Sequence, residues 1–153
     1  MTTRRRARSP RGSGEILAEE IIEAAGELLV ENGDDTAMSI RAVANRVGVT
    51  PPSIYLHFAD KEALLDAVCA RYFERLDDEM AAASEGVDDA FERALGQGIA
   101  YVRFAVATPV LYRVAFGKPT PEGHPSKVDE VLAASAYSRF AGTVTELADD
   151  GVF

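Results

Sequence analysis

The spacing Ala44-x3-Gly48-x5-Ile54 constrains this chain more than anything else in it. Two short helices that cross at a sharp turn need a small residue where they nearly touch. They also need a turn residue tolerant of positive φ, and an apolar residue that clamps the second helix. Ala44, Gly48 and Ile54 supply these in order, and Val47 and Val49 frame the turn with core contacts. Ser39 is placed to cap a helix predicted over Ile40 to Arg46. Thr50 is placed to cap the next, Thr50 to His57, whose first turn accepts Pro51 because no backbone donor is missed there. The pattern fits a helix-turn-helix that docks on DNA; it also fits a plain helical hairpin.

The flanking periodicity is helical throughout. Leu17, Ile21, Ala24, Leu28 and Leu29 recur at three- and four-residue steps before Asn32-Gly33. Asp60 can cap a fourth helix with Leu64, Leu65, Val68, Tyr72, Leu76 and Met80 on its inner face. After Gly86, a fifth helix from about Asp88 to Ala107 shows Phe91, Leu95, Ile99, Val102 and Val106 as its apolar face. Thr108-Pro109 opens a short sixth segment ending near Gly117, and Lys118 to Pro125 reads as a loop. A seventh helix is predicted from Ser126 to Ala148, with Val128, Val131, Leu132, Ser135, Phe140, Val144 and Leu147 turned inward. No strand is expected. The fold class is all-α: a three-helix head joined to an incomplete helical regulatory bundle. Its expected divisions are a disordered basic arm over 1–14, a head over 15–62, and a ligand-binding and dimerisation part over 63–153.

Charge narrows the function. The net charge is −9 over 153 residues, yet residues 1–14 hold five arginines and no acid, while residues 61–153 hold 9 bases against 16 acids. An acidic protein has no sequence-independent grip on DNA, so any DNA contact must come from a local patch and a basic arm. The opening arginines do not begin an export signal, because six glutamates between 15 and 33 take the place of an apolar region. No stretch approaches the roughly 20 apolar residues of a membrane span. Cys69 stands alone, which excludes an internal disulfide and a cysteine zinc cluster and suits a reducing cytoplasm. His57 and His124 are the only histidines, and neither a Gly-rich phosphate loop nor a serine elbow is present. No enzyme, metal or cofactor is expected.

If the third helix lies in the major groove, its first-turn residues Thr50, Pro51, Pro52 and Ser53 face base edges. They are small, the hydroxyls can hydrogen bond, and proline offers apolar contact to a thymine methyl. The start of that helix also attracts phosphate. Tyr55, His57, Lys61 and the outward Arg41 form a candidate phosphate clamp, with Ser39 beside Arg41. Taken alone, Tyr55 reads as a packed aromatic at a helix end, His57 as a cation at a helix C-terminus and Lys61 as a solvated lysine. The arm arginines read as a solubilising tail or as a reach into a minor groove.

The run from Gly48 through Thr50-Pro51-Pro52-Ser53-Ile54-Tyr55-Leu56-His57-Phe58 to Asp60-Lys61 and Leu64-Leu65 resembles the signature of the TetR family of repressors. The resemblance covers residues 15–65. It implies that Tyr55, His57 and Lys61 touch the DNA backbone, that Pro52 and Ser53 face bases, and that Arg41 adds a contact from the second helix. The stretch Tyr101 to Gly117 is similar to a ligand-domain subgroup named for a late Trp-His-Gly motif, which this chain does not contain. The resemblance implies a homodimer on a palindromic operator of double-stranded DNA, released by a small effector. It also implies two further dimer helices, so that either the chain is truncated or its dimerisation differs. The alternative expectation is a helical ligand- or protein-binding remnant without productive DNA binding.

In the second half, Tyr101, Phe104, Tyr112, Phe116 and Tyr137 are an aromatic-rich set. They read as core packing or, together, as the lining of an effector cavity. Cys69 reads as a buried structural thiol.

Overall fold

The computed structural model describes residues 13–36, 38–117 and 136–152. Every regular element among them is a helix: α1 Ser13–Asn32, α2 Ile40–Val47, α3 Pro51–Tyr55, α4 Lys61–Ser84, α5 Ala90–Ala107, α6 Pro109–Gly117 and α7 Ala136–Asp149. The chain divides into two compact units, one up to Val68 and one from Cys69, so the division falls within α4. Most of the basic arm, the Lys118–Pro125 loop, and Val128, Val131, Leu132 and Ser135 of the seventh helix lie outside the described residues.

The first unit is held together by α1, α2, α3 and the start of α4. Ile21, Ala24, Ala25, Leu28 and Leu29 are the buried face of α1. This helix begins at Ser13, so Ser13 and Gly14 are helical and not part of the arm. Its end is closed by Gly33 at φ 80°, whose N–H donates to the Leu29 carbonyl at 3.0 Å. Asp60 caps α4, its carboxylate accepting from the Ala63 N–H at 2.8 Å. Leu64, Leu65 and Val68 then turn inward as their spacing predicts.

In the second unit, Cys69, Tyr72, Phe73, Leu76 and Met80 of α4 form the core with Ala115 of α6. Tyr101 and Phe104 of α5 and Leu111 and Tyr112 of α6 pack against it. Asp89 caps α5 through the Glu92 N–H at 2.9 Å. The predicted face of α5 is the wrong one: Phe91, Leu95, Ile99, Val102 and Val106 are all exposed, while Ala90 and Gln97 are buried. This helix is apolar on two sides, so its period does not choose between them. Close approach to α4 decides. A Cβ added at Gly96 would sit 2.8 Å from the Ala83 carbonyl oxygen, a gap that bulky residues could not occupy.

Three polar links tie α7 into this unit. Buried Gln97 donates to the Ser84 hydroxyl at 3.2 Å and accepts from Thr143 at 3.4 Å. Arg139 makes a two-pronged pair with Asp77 at 3.0 and 3.2 Å, and Arg93 pairs with Glu146. Leu147 is buried as predicted, and the buried side of α7 runs through Thr143. Between α5 and α6 the chain turns by 101°, and no single described helix is long and apolar enough to cross a membrane.

Candidate nucleic-acid interface

The turn between α2 and α3 rests on a few local bonds. The Ser39 hydroxyl accepts from the Ala42 N–H at 3.1 Å and starts α2. Gly48 takes φ 80° and ψ 34°, a left-handed conformation that costs an L-residue about 1–2 kcal/mol. The Ala44 carbonyl accepts from both Gly48 and Val49, at 2.9 and 3.0 Å. Val43, Ala44 and Ile54 are completely buried, and Phe58 nearly so. Met38, just before the cap, is also completely buried. Sequence reasoning passed over it, although an apolar residue preceding an N-cap serine, with apolar Val43 at the fourth helical position, is the sequence signal for a hydrophobic staple.

Burial of Ile54 from below leaves the outer side of α3 to solvent. Thr50, Pro51 and Pro52 are exposed and Ser53 is half-buried. Tyr55 is 53% exposed and Leu56 84%, the latter a residue the sequence did not single out. Two expectations are corrected. Thr50 occupies the cap position, but its side chain caps nothing; its hydroxyl and that of Ser53 lie 3.0 Å apart in a hydrogen bond. The reason is chemical: Pro51 and Pro52 carry no N–H, and the Ser53 N–H already donates to the Thr50 carbonyl at 2.9 Å. Secondly, α3 ends at Tyr55, so Leu56 and His57 belong to the turn that follows. The Ile54 carbonyl holds that turn, accepting from His57 and Phe58 at 2.9 and 3.0 Å.

The charges around this surface are few. Residues 13–68 contain Arg41, Arg46 and Lys61 against eleven acids. Arg46 is taken up by α1, pairing with Glu31 at 2.5 and 2.7 Å and with Glu27 at 3.2 Å. That bond holds the Glu31 carboxyl below its usual range and raises the Arg46 guanidinium further. The pair's contribution is present above the ordinary carboxylate range and is lost as pH falls through the depressed Glu31 value. Arg41 is exposed on α2. Lys61, half-buried, donates to the Asp35 carbonyl at 2.6 Å, which fixes its ammonium and uses one of three donors. At Gly14 an added Cβ would meet His57 Cε1 at 3.8 Å, so α1 begins beside the turn that follows α3.

The second unit contains an apolar cavity of about 290 Å³, lined by Phe73, Leu76, Met80, Tyr101, Phe116 and Tyr137 among others. Of the five aromatics expected to converge, Tyr101, Phe116 and Tyr137 do. Phe104 instead packs on Tyr72, with ring centroids 5.0 Å apart, and Tyr112 on Phe116 at 4.6 Å. Both are drawn away by stacking partners that sequence position does not disclose.

The family profile described as bacterial regulatory proteins, tetR family, matches residues 21–68. The chain is 40% identical over 57 residues to the tetracycline repressor protein class D of Escherichia coli, a match covering 37% of this chain and 26% of that repressor. A solved structure of a protein with unknown function from Rhodococcus sp. RHA1 is similar over 88% of this chain and 69% of its own, with 30% identity and a TM-score of 0.77. A TetR family transcription regulator from Marinobacter aquaeolei VT8 shares the fold over 93% of this chain and 73% of its own, at 20% identity and a TM-score of 0.71. The matched segment thus spans about a quarter of the curated repressor's length.

Proposed function

This chain belongs, through residues 21–68, to the tetR family of bacterial regulatory proteins, and from that premise we propose that it is a sequence-specific, DNA-binding transcriptional repressor released by a small ligand. One observation carries the proposal: Ile54 is fully buried while Thr50, Pro51, Pro52, Tyr55 and Leu56 around it face solvent and Ser53 is half-buried. A helix anchored by one apolar side chain, with small and hydroxylic residues outward, is shaped to enter a major groove.

The roles follow from placement. Pro51, Pro52 and Ser53 read base edges, with Thr50 holding the Ser53 hydroxyl in position. Tyr55, His57, Arg41 and Lys61 grip phosphates, Lys61 using the two ammonium donors that Asp35 leaves over, and Ser39, at the start of α2, joins that contact surface while its hydroxyl caps the helix. Two heads in a homodimer, held about 34 Å apart, would read successive major grooves of a palindromic operator in the cytoplasm. A ligand in the bundle over 63–153 would shift α4 and spoil that spacing, a coupling of about 1–3 kcal/mol.

Salt-dependent affinity tests the assignment. On a duplex selected from a random library, Lys61→Ala is expected to weaken binding equally across sequences. It should also lower the slope of log K against log salt by about one unit. Ser53→Ala should instead change preference at particular base pairs. An unchanged slope for Lys61→Ala would show that the phosphate grip lies elsewhere.

A further inference from the structure

Resting on the reading of the second unit as the ligand-sensing part, we infer that its effector is an uncharged, flat, largely apolar molecule of about two fused rings. The cavity itself sets the class. Among the described residues its side chains are Phe73, Leu76, Met80, Phe116 and Phe140 with Tyr101 and Tyr137, and none of these is charged. Phe116, Phe140 and Tyr137 form a half-open mouth, and an ion lodged against the buried inner wall of Phe73, Leu76 and Met80 would lose water on that side and meet no counter-charge among the described side chains. The aromatic walls favour a flat partner through offset and edge contacts.

Size follows from volume. An engineered apolar cavity of about 150 Å³ holds one benzene; this one, at about 290 Å³, holds roughly twice that. Two larger depressions in the same unit, about 620 and 670 Å³, include Glu79 and Arg103 in one and Asp78, Arg93 and Arg139 in the other. Charged and wet, they do not select an apolar ligand.

Among the described residues, the polar side-chain groups on the cavity are the Tyr101 and Tyr137 hydroxyls. Tyr101 donates to the Tyr112 hydroxyl at 3.3 Å, leaving its own oxygen as an acceptor for one ligand O–H or N–H. That hydrogen bond, together with burial, pushes the Tyr101 hydroxyl up to about 12, so it is neutral throughout the physiological range. The polar groups an effector presents to these hydroxyls are therefore neutral, one of them a donor to the Tyr101 oxygen. Gly98 sets the room available. It lines the cavity, and a Cβ added there meets nothing within 4 Å. A methyl at 98 is therefore accommodated beside the cavity, a longer side chain extends further from that point, and a helix interior gains from losing glycine.

Calorimetric titration of the whole chain with 2-naphthol, 2-naphthoate and 2-naphthylmethylammonium tests this. The neutral naphthol is expected to bind at least tenfold more tightly than either ion. Gly98→Leu is expected to abolish naphthol binding while melting at the same or a higher temperature. Gly98→Ala, which adds one carbon, should weaken it several-fold and serves if the leucine variant does not fold. Equal or tighter binding of an ion overturns the inference. So does the absence of naphthol binding at millimolar concentration, or unchanged binding in a folded position-98 variant. Duplex binding by the ligand-free protein, measured alongside, reports on the regulator reading alone: a protein that binds DNA but no naphthol overturns the ligand class and leaves that reading standing.

Discussion

Replacing Ile54 by alanine is expected to destabilise the head strongly, while replacing its neighbour Tyr55 leaves the fold untouched and removes most DNA affinity. Ile54 is completely buried beneath α3 and is the only fully buried side chain of that helix. Truncating a core isoleucine costs about 2–5 kcal/mol, against a total of about 5–15 for a folded domain. Thermal melting should fall by roughly 10 °C or more. Tyr55 is more than half exposed, so its truncation should change stability by less than about 0.5 kcal/mol. If its hydroxyl bonds a phosphate, loss of that charge-assisted contact costs about 1.5–3 kcal/mol, a fall of tenfold to a hundredfold or more in affinity. Melting curves and anisotropy titrations on the two variants separate the roles. A Tyr55→Ala protein that melts early and binds DNA normally would assign Tyr55 to packing.

Deleting residues 1–12 should have the larger effect on binding. The head itself brings three cations and eleven acids, and Arg46 is committed to Glu27 and Glu31. The arm adds Arg4, Arg5, Arg6, Arg8 and Arg11. It precedes a helix whose first turn stands against His57, one of the proposed phosphate contacts. Each arginine that neutralises a phosphate contributes about 0.9 to the salt slope. Removal of all five should lower the slope by up to about 4.5 per chain. At physiological salt the affinity should fall on the order of a thousandfold. The melting temperature should not move. An unchanged slope would make the arm a solubilising tail.

The head was legible because its determinants are local. The Ser39, Gly48 and Asp60 bonds each close within four residues, and their residue types announce them. Where local chemistry had a second layer, reading stopped short. Thr50 has the right hydroxyl for a cap, but two consecutive prolines remove a donor it would need. The face of α5 was not legible, since large apolar residues mark one side and small ones the other. Contact with α4 at Gly96 and Ala83, far apart in sequence, selects the small side. The cavity was half legible for the same reason. Composition flagged the aromatics, but Met80, Gly98 and Phe140 reach it from three different helices.

Amide hydrogen exchange of the whole chain, with and without a library-selected duplex, tests the central claim most directly. DNA should slow exchange at Ser39 to Arg41 and from Val49 to Phe58, where the groove-facing helix and its flanking turn lie. Unaltered exchange across Val49 to Phe58, with protection appearing only beyond Cys69, would contradict it.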